Sequence, residues 1–408
     1  MAADFDTVID RHRTNSIAVD AFRTFLLEDH PDLQLPCDDA DAVAMWVADM
    51  AFAAPPVVVE AMRSRLEHPI FGYTVLADDS FYQAYADWCS DRYDWRPQAE
   101  HFFTSPGVVP ALYSLVDYFI GPGQKVFTLT PAYGFFESPV DDRGREFVAC
   151  SLTHDDGRYQ IDFEAFQQTV SDPDVRMFFL CHPHNPTGRV WTDDELTRMA
   201  QLCFDNGVIV VSDEIHCDLL RTGLTHTPLA KLFPESDLLI TCMSSSKTFN
   251  LAGLGLSQVV IPGDELRTVW ADRSQPVINP ISVAAATAAL RHGEPWRQEL
   301  LAYLDANFAY VCDTLAAQLP EATFSIPDAT YLGWIDLSAY FAAETNLTRF
   351  FAEQAGVLIE GGEQFIADAD GYIRINVACP RATLADGLAK IVAATRSASG
   401  VLSRVVAI

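Results

Sequence analysis

LLITCMSSSKTFNLAGL, residues 238–254, runs from an aliphatic triplet through three serines into a lysine. A short apolar run bounded by polar residues reads as a buried strand, so 238–242 is expected to be a strand with Lys247 just past its carboxyl end. Lysine is scarce here: Lys125, Lys231, Lys247 and Lys390 are the only four, against 23 arginines. A lysine at a strand end can bind phosphate, pair with a carboxylate or form an imine. The phosphate-loop reading needs GxxxxGK[ST], and Thr241 and Ser246 occupy its two glycine positions, so it fails. GLGLSQ (253–258) is an incomplete dinucleotide fingerprint with Gln258 in place of the last glycine. Apolar residues flank Lys247 on both sides, and partial burial lowers an amine's pKa toward the neutral form that imine chemistry needs.

Working outward, apolar runs at 126–130, 145–152, 175–181, 208–212 and 256–261 alternate with helical segments. In 193–206, Leu196, Met199, Ala200 and Cys203 fall at helical spacing, with Thr192 and Glu195 as a capping box and Gly207 as the stop. Alternating strands and helices predict an α/β fold: a large domain built on a mostly parallel sheet covered by helices on both faces. After about residue 280 the texture changes. Helices at 281–291, 298–319 and 384–395 with strands at 330–337 and 372–377 predict a smaller α+β domain. The expected division is 46–285 for the large domain and 1–45 with 286–408 for the small one. The tail SASGVLSRVVAI (397–408) is expected to be poorly ordered.

Ligands of open α/β sheets bind beyond the carboxyl ends of the strands, and four runs end there in reactive or polar residues. One ends in SSSK, one in SDEIH with Asp213 and His216, one in HPHNPTG with Asn185, and one in TPAYGFF with Tyr133. Asp213 follows an aliphatic run, and a largely buried carboxylate needs a positive partner. A protonated pyridine nitrogen is such a partner, and a lysine with a ring-nitrogen acid is the arrangement of pyridoxal sites. SPGVV (105–109) precedes a helix expected from Pro110, so its backbone N–H groups can hold a phosphate, as can the serine hydroxyls before Lys247.

Composition narrows the field. A net charge of −29 argues against nucleic acid or an anionic membrane as partner. No apolar run is long enough for a spanning helix, and MAADFDTVIDRHRTNS has no apolar core of a secretory signal. Nine scattered cysteines without a CxxC pair fit a reducing cytoplasm rather than a disulfide framework. His182 and His184 lack a second cluster, so no metal site is expected.

WVADM (46–50), FGY (71–73), TPAY (130–133), HNPTG (184–188), SDEIH (212–216), SSSK (244–247) and YIRINVACPR (372–381) together resemble the fold-type I pyridoxal-phosphate enzymes of the class I/II aminotransferase superfamily. Within it they are similar to the cystathionine β-lyase (cysteine-S-conjugate β-lyase) branch. The resemblance implies pyridoxal 5'-phosphate carried on Lys247, with Asp213 at the ring nitrogen, Asn185 at the phenolic oxygen and Tyr133 stacked on the ring. His216 stands where aminotransferases usually place a tyrosine. Ser244, Ser246 and the amides of Val108 and Val109 would take the phosphate, and Tyr73 would reach it from the neighbouring subunit of a homodimer with shared sites. Arg374 would bind the substrate α-carboxylate, with Asn185, Asp49 and Tyr331 also near the substrate. Two departures stand out: Ala51 replaces the acid of DMDF, and Gly255 stands about where many aminotransferases carry a phosphate-binding arginine. The lyase branch commonly lacks that arginine too.

The implied reaction is β-elimination of L-cystathionine or related cysteine S-conjugates to pyruvate, ammonia and a thiol. Lys247 would be the base at Cα, with Tyr133 or Lys247 protonating the sulfur. The alternatives are transamination with a 2-oxo acid acceptor, and a non-catalytic pyridoxal-phosphate-binding regulator.

Overall fold

The computed structural model describes residues 3–155, 157–274 and 277–405. Its central sheet has eight strands. In chain order they are Phe102–Ser105 (β1), Lys125–Thr130 (β2), Glu146–Asp155 (β3), Arg158–Ile161 (β4), Val175–Cys181 (β5), Ile209–Asp213 (β6), Leu239–Met243 (β7) and Ser257–Val260 (β8). In space they run β1-β8-β7-β6-β5-β2-β3-β4. Strands β3, β2, β5, β6 and β7 pair in parallel. Strand β8 runs against both its neighbours, and β4 closes the far edge antiparallel to β3.

Burial on both faces explains why the central strands read as continuous apolar runs. Every residue of β6 (IVVSD) and β7 (LITCM) is buried. Alternate side chains enter two cores: Phe178, Leu180 and Val210 pack on one face with Leu196, Met199 and Cys203 of the helix Asp193–Asp205. Met177, Phe179, Val211 and Ile240 pack on the other with Leu112, Leu115 and Val116 of the helix Val108–Phe119. The Thr192–Glu195 capping box is formed in both directions, and Gly207 follows with φ 68°. The helix expected from Pro110 begins two residues earlier, at Val108. Proline suits a first helical turn, where its missing N–H leaves no intrahelical bond unmade.

A second, four-stranded sheet is wholly antiparallel: Thr323–Phe324 (β9), Leu332–Asp336 (β10), Tyr372–Asn376 (β12) and Glu360–Gly361 (β11), in that spatial order. Helices Glu294–Gln318 and Arg381–Val405 accompany it, while Pro280–His292 packs on the helices Pro56–Leu66 and Ser80–Tyr93. Arg381–Val405 carries the tail expected to be poorly ordered, as helix, to residue 405; residues 406–408 lie outside the described residues. A two-stranded ladder, Ala132–Tyr133 with Phe365–Ile366, ties the second region to the mouth of the first. Among the described residues no helix is long and apolar enough to cross a membrane.

Candidate active site

Beyond the carboxyl ends of β5, β6 and β7 lies a cavity of about 270 Å³, lined by Lys247, Asp213, Asn185, His216, Tyr133, Ser246, Val108 and Val109, among others. Each side chain arrives there because a strand has just ended. Lys247 sits in the one-turn helix Ser246–Phe249, directly after β7. Asp213 is the last residue of β6, and Asn185 lies in the loop that leaves β5.

Burial sets the electrostatics. It lowers the Lys247 pKa to about 8, with the Arg374 charge adding to the effect; Asp49, Asp213 and Glu360 oppose it. Asp213 is pushed up to about 7 by burial, against the Ile215 N–H and the Lys247 charge. Among the described residues only its Oδ1 has a protein donor, Ile215 N at 3.1 Å. His216 is held well below the usual imidazole range by burial and the nearby Lys247 and Arg374 charges, and its Nδ1 has no partner. Burial raises the Tyr133 phenol to about 12, so it remains protonated.

These features fit pyridoxal phosphate. A half-satisfied buried acid matches a ring N–H⁺. The Asn185 Oδ1 accepts from Arg374 Nη1 at 2.9 Å, which leaves the amide's N–H groups for a ligand oxygen. At the phosphate end the helix Val108–Phe119 has no side-chain cap, so the amides of Val108 and Val109 are open donors. Ser244 Oγ donates to Leu256 O at 2.8 Å, and Ser246 lies beside it with the hydroxyls 2.9 Å apart. Gly255 lines the same end with φ 58°, and a Cβ there would stand 3.1 Å from the Pro106 carbonyl. An arginine at this position would be strained in its backbone and crowded against that loop.

Arg374, on β12, is 1% exposed and does not line the cavity. Its Nη2 is paired with Glu360 and reaches the Trp46 carbonyl at 3.4 Å. Asp49 and Tyr331 do not line the cavity either. Asp49 is paired with Arg11, and the buried Tyr331 hydroxyl donates to Ala48 O at 2.7 Å. Tyr73 is fully exposed at 108%, away from the cavity of its own chain.

Four residues that sequence reasoning passed over hold this arrangement together. Asn250, left-handed at φ 58°, accepts from Met50 N at 3.0 Å and donates to the carbonyls of Met50 and Phe52, both at 2.9 Å. An asparagine just after a short helix is a signal for such a cap. Asn376 donates to Val47 O at 2.6 Å and to Asp49 O. Asp218 accepts from Thr248 Oγ1 at 3.0 Å, one residue past the lysine. Glu360 is the fourth, and no local pattern marks it.

A buried amine of lowered pKa facing a buried acid, with a phosphate cradle at a helix start, defines the class as pyridoxal-phosphate-type sites on an aminotransferase fold. The chain belongs to the aminotransferase class I and II family, whose model matches residues 42–391, and within it to the cystathionine β-lyase branch. It is 40% identical to cystathionine beta-lyase PatB of Bacillus subtilis over 87% of this chain and 92% of that one. Protein MalY of Escherichia coli is 32% identical, with 97% and 99% covered. Among solved structures, a PLP-bound C-S lyase from Staphylococcus hominis superposes with a TM-score of 0.93 at 41% identity, covering 97% of this chain and 98% of that one.

Proposed function

We propose that this protein is a pyridoxal-phosphate-dependent carbon–sulfur lyase that cleaves L-cystathionine or related cysteine S-conjugates by β-elimination. The observation that carries the reading is the Lys247 amine, lowered to about 8 and lining one cavity with Asp213. When bound, pyridoxal phosphate supplies a carbonyl that captures the substrate amine and a ring that withdraws the electrons left at Cα.

The chain's own residues do the rest. Lys247 carries the cofactor at rest. Once freed, it takes the Cα proton, a task suited to an amine that titrates near working pH. Asp213 would keep the ring nitrogen protonated, and Asn185 and His216 would hold the ring's polar edge. Tyr133 covers the ring face. Ser246 and the Val108 and Val109 amides would fix the phosphate, with Ser244, bonded to Leu256 O and to Ser246 N, holding Ser246 in place, and Arg374 would take the α-carboxylate with its planar fork. The thiolate leaves from Cβ. Lys247, now carrying the Cα proton, and the protonated Tyr133 phenol are the two donors beside it. The enamine that remains hydrolyses to pyruvate and ammonia. Asp49 and Tyr331 shape the substrate side indirectly, through the loop 46–52.

We assign residues 46–285 to the cofactor-binding domain and 1–45 with 286–408 to the small domain. The working form is a cytoplasmic homodimer in which Tyr73 reaches the phosphate in the partner subunit. Exposed Leu66, Ile70, Phe71 and Val75 around Tyr73 support a covered face there.

The test is a product assay on purified, cofactor-loaded protein given L-cystathionine without a 2-oxo acid. Pyruvate and a free thiol are expected. Amino transfer that depends on a 2-oxo acid, with no pyruvate, would make the protein an aminotransferase on the same site.

A further inference from the structure

The Arg374 guanidinium, proposed above to clasp the substrate carboxylate, already has its fork engaged. Nη1 donates to Asn185 Oδ1 at 2.9 Å, and Nη2 is paired with Glu360. Glu360 stands directly across the ladder from Arg374, in register on β11. Its backbone has little room to withdraw. A Cβ on Gly362, two residues on, would lie 1.7 Å from Ala369 O, and Gly361 N is held by Thr348 Oγ1 at 2.8 Å. The side chain is the part that can move, and it is 14% exposed while Arg374 is 1% exposed.

Buried arginine without a counter-ion is costly, so an empty site needs an anion at that fork. Glu360 supplies it. An incoming α-carboxylate brings a second anion to the same guanidinium, and two carboxylates at one cation cannot both stay ionised cheaply in a buried site. The groups facing Glu360 are known from every side. Arg374 lies on the paired strand, with Lys247 across the cavity and Glu363 in the following turn; burial raises the Glu360 pKa, and Arg374 and Lys247 oppose this. The Tyr133 phenol feels its charge. On the packed helix Leu347–Ala355, Arg349 and Glu353 pair with each other at 3.6 Å and leave Glu360 no further cation.

We propose that Glu360 is a positioning and specificity-determining residue: it holds the Arg374 fork in the empty site and yields it to the substrate carboxylate by accepting a proton. Carboxylate binding therefore takes up one proton, and affinity falls as pH rises. The inference rests on Arg374 being the carboxylate site, as in the proposed function.

The test uses holoenzyme and 3-(methylthio)propanoate, a thioether carboxylate that has no α-amine and so cannot react. Calorimetric titration in buffers of different ionisation enthalpy counts protons. The wild type is expected to take up close to one proton per carboxylate bound; Glu360→Gln is expected to take up none and to bind about tenfold tighter at pH 8, with the competing charge gone. With L-cystathionine, Glu360→Gln should lower KM more than it changes kcat. Glu360→Asp, which keeps the charge on a shorter arm, should retain proton uptake. Equal proton counts and equal affinities in the wild type and Glu360→Gln would overturn the proposal. Since the probe is bound and not turned over, this result stands apart from whether pyruvate or a transamination product appears in the assay above.

Discussion

Lys247 Nζ donates to the backbone carbonyl of Ala48 at 2.6 Å, across 199 residues of sequence. The same carbonyl accepts from the Tyr331 hydroxyl at 2.7 Å. The Lys247 amine is therefore aimed by the loop 46–52, and that loop is clamped in turn by Asn250 and Asn376.

Replacing Lys247 by alanine removes the amine proposed to carry the cofactor and to serve as base. The visible absorbance of lysine-bound cofactor is expected to vanish, and turnover to fall by at least about 10³-fold. Full activity in Lys247→Ala, read in the pyruvate assay, would sink the mechanism.

Capture of pyridoxal phosphate by the cofactor-free protein needs the neutral amine. With the Lys247 pKa lowered to about 8 by burial and the Arg374 charge, the neutral share rises about tenfold between pH 7 and 9, against about a hundredfold for an ordinary lysine. Stopped-flow capture rates across that range distinguish the two slopes.

Asp213 makes a prediction about stability. Burial raises its pKa from 3.8 to about 7 in the cofactor-free protein. The folded state then holds a proton that the unfolded state has lost, so between these two values stability falls as pH rises. Asp213→Asn lacks this liability. The cofactor-free variant should exceed the wild type in Tm by a margin that widens from pH 5 to pH 8, by a few kcal/mol in stability. A margin that does not change with pH would contradict the shift.

Asp218 accepts from Trp88 Nε1 at 3.1 Å, Arg92 Nε at 2.8 Å, Thr248 Oγ1 at 3.0 Å and the Tyr93 hydroxyl. Removing a buried carboxylate that pairs with an arginine costs about 3–5 kcal/mol. Urea unfolding of Asp218→Ala should show a loss of that size. The cofactor-loaded variant should also bind cofactor less tightly, because Thr248 adjoins Lys247.

The central sheet was legible from residues alone because strands buried on both faces leave unbroken aliphatic runs, as 175–181 and 238–242 do. Strands β1 and β4 were not: FFTS and RYQI are four residues long each, and they owe their places to the backbones of β8 and β3. Lys247, Asp213 and Asn185 could be found because each lies at, or a short way past, the carboxyl end of a strand. Glu360 and Asn376 act through partners in other parts of the fold. Asn376, for example, reaches Val47 across 329 residues, and no local spacing encodes such a contact. Asp49 and Tyr331 were expected near the substrate on motif position; in the fold Asp49 pairs with Arg11 and the Tyr331 hydroxyl bonds the Ala48 carbonyl of the loop 46–52.

That clamp also constrains the order in which the molecule can be completed during synthesis. The loop 46–52 precedes the central sheet in the chain, yet one of its fastenings, Asn376, lies on a strand that follows that sheet. Until residues 372–376 emerge, the loop that presents the Ala48 carbonyl is held by Asn250 and Tyr331 but lacks the Asn376 part of its clamp. A nascent chain carrying the whole central sheet still lacks one fastening of the loop that meets the Lys247 amine.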